Sequence, residues 1–230
     1  MKDLLTQFDF QSNLLFENLS ESENQAVQNV MEPLTIKKGT MLFFEGGIPT
    51  GIFQIKQGKA KKFKRSFSGD EQIFYIYTQE DVLGYHALLG QERYQDSCEA
   101  LEDLKVNFIA KDDFLKLLKE IPALQQTLIK NIGHEFGVLA NIIAVLAQKN
   151  QNARLALFLL LLEYRFNRNS PTVKGIDLTR DDLANLIGTS QESLGRSLKQ
   201  FKELGCIETD KRNIYIKDPK QLEQLLQTKI

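Results

Sequence analysis

Glu192, Arg196 and Lys199 recur at steps of four and three, which sets a carboxylate and two cations on one face of a helix. The chemistry on offer is recognition. An arginine can hold both acceptor atoms on the major-groove edge of guanine, and a glutamate can accept from the amino group of cytosine. The plainer alternative for Glu192 and Arg196 is an exposed i,i+4 ion pair, worth on the order of a few tenths of a kcal/mol. Position favours the first reading, because the pair opens a helix directly after the turn Gly188-Thr189-Ser190. On the opposite side Leu194, Leu198 and Phe201 make an apolar stripe. A helix–turn–helix needs this division, with one side packed on its partner helix and the other in the major groove.

Catalytic chemistry is poorly supplied. The chain has two histidines, His86 and His134, and two cysteines, Cys98 and Cys206. Metal-dependent barrels need clustered histidines and carboxylates, and zinc or iron–sulfur sites need clustered cysteines. The sequence is read as a non-enzyme with no metal site.

The elements that must position the stripe are legible around it. Thr179 is placed to N-cap a first helix, with Asp181 and Asp182 in its first turn. Leu183, Ala184, Leu186 and Ile187 form its buried face, and Gly188 ends it in a left-handed turn. Thr189 or Ser190 caps the second helix, which runs to about Leu204 before Gly205 stops it. Cys206 to Glu208 and Ile214 to Lys217 then read as a hairpin wing with Lys211 and Arg212 at its tip. A last short helix lies near Gln221 to Leu226, and Ala153 to Phe166 supplies the apolar core helix of this C-terminal domain, 153–230.

Upstream the texture differs. From Leu34 to Ala110 short β-type runs alternate with glycines at 39, 46, 47, 58, 69, 84 and 90, as in an antiparallel barrel or jelly roll. Lys59 to Arg65, KAKKFKR, is read as a solvated edge strand. Ser20 and Glu23 have capping-box spacing. These features give an N-terminal jelly-roll domain with flanking helices over 1–121. Pro122 opens a helix to 147 in which Ile129, Ile132, Phe136, Leu139, Ile143 and Leu146 follow 3-4-3-4-3 spacing. That is an a/d seam, which asks for a second copy of the helix and so a homodimer; packing on its own barrel is the alternative. The polar run QKNQN, 148–152, reads as a hinge. The fold class is therefore α+β: jelly roll, long dimerisation helix, winged helix–turn–helix.

Bulk properties agree. Net charge is −1 over 230 residues, but 13 Lys and Arg against 10 Asp and Glu after residue 150 leave that part at +3 and the first 150 residues at −4. The basic excess lies with the helix–turn–helix. Two distant cysteines suit a reducing compartment. The first residues lack the apolar core of a signal peptide, and the longest unbroken apolar run, Leu155 to Leu162, is well short of the ~20 residues that span a bilayer. A cytoplasmic protein without a membrane partner is expected.

A glycine-punctuated barrel, a dimer helix, a hinge and a winged helix–turn–helix together resemble the Crp/Fnr family of bacterial transcription regulators. The stretch TSQESLGRSLKQFKELG is similar to that family's recognition helix. The resemblance implies a homodimer on two-fold symmetric double-stranded DNA, acting on RNA polymerase. It implies that Glu192 and Arg196 read bases beside Gln191 and Ser193, with Gln191 standing where the family usually has arginine. Arg180, Thr189, Ser190 and Lys199 are then placed for phosphate contact, and Lys211 and Arg212 at the wing tip are either further phosphate contacts or simply solvated.

The sensory segment departs from the pattern. Cyclic-AMP-binding relatives use a Gly-Glu pair for the ribose and an Arg-Ser or Arg-Thr pair for the cyclic phosphate. Here Gly84 is followed by Tyr85 and His86. Aligning on Ala100-Leu101-Glu102-Asp103 sets Tyr94 and Gln95 at the phosphate pair, with Arg93 one position early. One residue flips a side chain across a strand, so a loop insertion would be needed to bring Arg93 back. Cyclic AMP is accordingly not the expected ligand, which leaves an unidentified small effector, or a pocket filled by Tyr85 and Tyr94 with regulation by expression level. Haem, with His86 as axial ligand, is a lesser reading, and an iron–sulfur cluster is not expected because no cysteine precedes Cys98. The alternative function is a nucleotide- or haem-sensing module that acts through a protein partner without DNA.

Overall fold

A computed structural model of the chain describes residues 2–168 and 174–227. They fall into two compact units. One comprises Phe10–Lys64 and Phe74–Gly137; the other comprises residues 2–9, Arg65–Ile73 and the described residues from Val138 onward.

The first unit is an antiparallel barrel of two four-stranded sheets. One has the order β1-β8-β3-β6, from β1 (Glu32–Ile36), β8 (Leu104–Ala110), β3 (Gly51–Gln57) and β6 (Val82–Leu83). The other runs β2-β7-β4-β5, from β2 (Met41–Phe43), β7 (Ser97–Ala100), β4 (Ala60–Arg65) and β5 (Glu71–Tyr77). Its core joins Ile52, Val82, Tyr85, Leu88 and Ile109 to Phe114, Leu117, Leu124 and Leu128 of the flanking helices α4 (Lys111–Glu120) and α5 (Pro122–Gln148). The short α1 (Lys2–Leu5) belongs to the other unit, while α2 (Glu21–Gln28) begins in the expected capping box of Ser20 and Glu23.

KAKKFKR is not an edge strand. β4 lies between β7 and β5, and Lys61 and Lys62 are buried there. Burial is tolerated because β7 and the residue just before it supply counter-charges. Lys62 pairs with Asp96 at 2.6 Å, and Lys61 lies 4.0 Å from Glu99.

Helix α5 carries a buried ridge and an outward apolar one. Leu124, Leu128, Asn131, Glu135, Val138 and Ile142 are buried, at spacings of 4, 3, 4, 3 and 4. Ile129, Phe136 and Ile143, seven residues apart, lie 63, 76 and 66% exposed. The expected seam is therefore split. Its Ile129, Phe136 and Ile143 face outward, whereas Ile132, Leu139 and Leu146 are only half-exposed, and Ile132 packs against the barrel core. Gly133, Gly137, Ala140 and Ala144 are exposed beside the outward ridge and would let another helix approach closely.

Of the five residues expected as a hinge, 148–152, only Lys149 and Asn150 lie between α5 and the next helix. Helix α6 (Gln151–Asn167) starts at once after Lys149 and Asn150, and the Asn150 side chain caps it by accepting from the Ala153 amide. Leu155 to Leu162 are all buried, so α6 is the core of the second unit. It is joined there by β9 (Ile176–Asp177), α7 (Arg180–Ile187), α8 (Gln191–Glu203), β10 (Ile207–Asp210), β11 (Asn213–Ile216) and α9 (Pro219–Gln227), with sheet order β10-β11-β9. One buried ion pair comes from far away in sequence. Arg165 on α6 pairs with Asp9, which Arg168 also approaches at 3.4 Å. Burial pulls the Arg165 guanidinium down to about 10, against the pull of Asp9, so it stays charged at neutral pH.

Candidate nucleic-acid interface

Local chemistry builds the two helices. The Thr179 hydroxyl accepts from the Asp182 amide at 3.0 Å to start α7. Gly188, at φ +65° and ψ +56°, closes the helix in a left-handed conformation, and its amide donates to the Ala184 carbonyl. The Ser190 hydroxyl then accepts from the Ser193 amide at 3.2 Å to start α8. Of the two candidate caps, Ser190 does this work; the Thr189 hydroxyl turns inward and donates to Gln151 at 2.7 Å.

Two further groups hold the turn. Gln151, at the start of α6, donates to the Ser193 carbonyl and the Ser197 hydroxyl, both at 2.7 Å. Gln72, on the β4–β5 hairpin, donates to the Asn185 carbonyl at 2.8 Å and so caps the C-terminal end of α7. Neither was found from sequence: Gln151 sat inside the supposed hinge, and Gln72 lies 113 residues from its partner.

On α8 the buried stripe is Leu194, Ser197, Leu198 and Phe201. The opposite face presents Gln191, Glu192, Arg196 and Lys199 to solvent. Arg196 reaches Glu192 at 2.5 Å and the Ser193 hydroxyl at 2.7 Å, so in the free protein the two candidate readers satisfy each other. Gln191 donates to Asp181 at 2.8 Å, and Lys199 lies 3.9 Å from Glu203. These exposed pairs are weak, so DNA can compete for their members. Ser193 is only half-exposed.

The wing is a four-pair antiparallel hairpin from Ile207↔Ile216 to Asp210↔Asn213. At its tip Lys211 is exposed, with φ +51°. Arg212 is held by both carboxylate oxygens of Asp177, one at 2.7 Å. Arg180 is half-buried, and its guanidinium donates to the Arg212 carbonyl at 3.4 Å. Of the expected phosphate contacts, Ser190, Lys199, Lys211 and Arg212 are exposed, while Arg180 and Thr189 are partly withdrawn into the fold.

Residues 153–225 match the Crp-like helix-turn-helix domain, and residues 33–121 match the cyclic nucleotide-binding domain. The chain is 29% identical over 213 residues to the anaerobic regulatory protein of Haemophilus influenzae, covering 91% of this chain and 82% of that protein. It is 29% identical over 210 residues to the fumarate and nitrate reduction regulatory protein of Escherichia coli, covering 90 and 84%. The chain belongs to the Crp/Fnr family of transcription regulators. Among solved folds, FixK2 from Bradyrhizobium japonicum superposes with a TM-score of 0.77 at 20% identity, covering 85% of this chain and 97% of that one. A CooA mutant from Carboxydothermus hydrogenoformans gives 0.74 at 21%, covering 96 and 99%. As a Crp/Fnr regulator the protein is a DNA-binding transcription regulator and not an enzyme, in a family whose members are typically homodimers.

In the barrel of this Crp/Fnr protein a cavity of about 180 Å³ is lined by Phe43, Lys62, Gly84, His86, Tyr94 and Asp96 among others. Gly84 adopts φ +97°, where a side chain is strained, and a Cβ there would lie 3.1 Å from the Gly51 carbonyl. Tyr94 stacks on Phe43 with centroids 4.1 Å apart, and its buried hydroxyl has no hydrogen-bond partner. Burial pushes that hydroxyl up to about 12. Gln95 also lines the cavity. Two of the expected pocket residues point elsewhere. Tyr85 is buried against α5 and donates to Glu135, which also meets His86 Nε2. Arg93 donates to the Gly46 carbonyl at 2.8 Å, outside this cavity. Among the described residues no group of three or more His, Cys, Asp or Glu is placed to hold a metal ion.

Cys98 on β7 is fully buried. Burial pushes its thiol far above the ordinary range; Lys62 acts in the opposite direction, and Asp96 and Glu99 add to the rise. An alkylating reagent at neutral pH is expected to leave Cys98 unmodified in the native protein and to label it in urea, by mass-spectrometric mapping. Rapid native labelling would contradict this.

Proposed function

We propose that the dimer binds two-fold symmetric DNA with one α8 in the major groove of each half-site. Glu192 and Arg196 read bases with Gln191 alongside, and Lys199, Ser190, Lys211 and Arg212 meet phosphates. The observation that carries this reading is the capped α8 with its polar face wholly exposed, at the residues expected from the spacing. The exposed ridge of Ile129, Phe136 and Ile143 serves as the dimer contact. The protein works in the cytoplasm, where it recruits or blocks RNA polymerase.

The barrel takes a small effector other than cyclic AMP. A cyclic phosphate needs a bidentate, charge-assisted arginine, and Arg93 is engaged by the Gly46 carbonyl. A haem would have to displace the His86–Glu135 contact. Action through a protein partner without DNA leaves the exposed polar face of α8 unused.

The test is a gel-shift selection from randomised symmetric duplexes. The expected outcome is salt-sensitive binding to a preferred site with half-sites one helical turn apart. Arg196→Ala should then cost about 1–3 kcal/mol and relax preference at one base pair. An equal loss on every duplex would make Arg196 a phosphate contact. Absence of sequence-selective binding, with or without candidate effectors, would refute the proposal.

A further inference from the structure

Gly195 sits in the middle of α8, exposed, with nothing within 4 Å of where a Cβ would be. Glycine is the costliest helix-interior residue short of proline, and it is kept where a turn, a strained backbone or a close approach requires it. Among the described residues none of these applies, because α8 is regular from Gln191 to Glu203 and the position is open. The position is therefore free for a close approach from outside the chain.

Its neighbours say what approaches. Gln191, Gly195, Lys199 and Lys202 follow at steps of four, four and three, so they form one ridge along α8, and all four are exposed. The ridge lies to one side of Glu192 and Arg196. It is a notch with an amide before it and two cations after it. When Glu192 and Arg196 face the floor of the groove, the ridge from Gly195 to Lys202 faces a wall, which is a sugar–phosphate strand.

We infer that Gly195, Lys199 and Lys202 form a docking ridge for one DNA strand, with Gly195 admitting the strand against the α8 backbone and Lys202 as a further phosphate contact. The inference rests on the proposed role of α8. Contacts of this kind position the helix and carry no sequence information, so their loss should be uniform where that of Arg196 is selective.

Fluorescence anisotropy with the full chain tests it, using the preferred duplex from the selection above and a scrambled duplex over a range of salt. Gly195→Ala should melt at the same temperature as wild type or higher, yet bind both duplexes roughly tenfold or more weakly, as expected when a methyl group is forced into a closed interface. Lys202→Gln should lower the salt slope by about one per protomer on both duplexes. If Gly195→Ala binds as tightly as wild type, the close approach is wrong. If Lys202→Gln lowers the melting temperature but leaves the salt slope unchanged, Lys202 serves the helix end and not DNA. If wild type binds neither duplex, the failure belongs to the function proposed above.

Discussion

Asp9→Ala is expected to destabilise the DNA-binding unit by about 3–5 kcal/mol, the scale seen when one member of a buried ion pair is removed. Arg165 is 3% exposed and Asp9 4% exposed. Taking the carboxylate away leaves a buried guanidinium whose neighbour Arg168 is also cationic and approaches the same carboxylate at 3.4 Å. Arginine does not escape by losing its proton, because a guanidinium keeps its charge where other basic side chains would give it up. The cost must then appear as unfolding or as water entering the site. Urea unfolding of the full chain, followed by a probe in the winged helix, measures it. Asp9→Ala combined with Arg165→Met should recover most of the loss, because an apolar replacement of the whole pair removes the uncompensated charge. A single variant as stable as wild type would show that the pair contributes little.

The second large effect is expected from Phe136→Glu. Phe136 is 76% exposed, so within its own chain the substitution breaks little, whereas in a dimer it sets two carboxylates against each other across an apolar ridge. Sedimentation should show monomers with an unchanged melting profile at the barrel. Binding to a symmetric site should fall by roughly 10²–10⁴-fold, because the second half-site is no longer engaged at high effective concentration. A half-site duplex should be bound about as weakly by variant and wild type. An intact dimer would refute the exposed ridge as the contact. Ile132→Glu is the poorer test, since Ile132 packs on the barrel core and its loss would confound folding with assembly.

What the sequence revealed follows from how local each signal is. The caps Ser20, Thr179 and Ser190, the stop at Gly188 and the wing all depend on residues within about four positions of one another, or on a short turn. They were readable for that reason. The apolar spacing on α5 mixes outward and half-exposed positions because Asn131 and Glu135 occupy the buried ridge, and polar residues there hide it from a count of apolar spacing. KAKKFKR differs from the expected edge strand, and nothing in the seven residues shows that Glu99 on the neighbouring strand and Asp96 just before it supply counter-charges. The Asp9–Arg165 pair, 156 residues apart, and the Gln72 cap of α7, 113 residues apart, leave no pattern in one sequence.

The Asp9–Arg165 pair also bears on the order in which the protein is made. At ~5–20 residues per second the ribosome releases the second partner roughly 8–30 s after the first. Nearly all of the barrel, up to Gly137, is synthesised in that interval. The unit that carries α8 can therefore close only after the barrel has been synthesised, and a nascent chain carries its barrel before it can touch the genome.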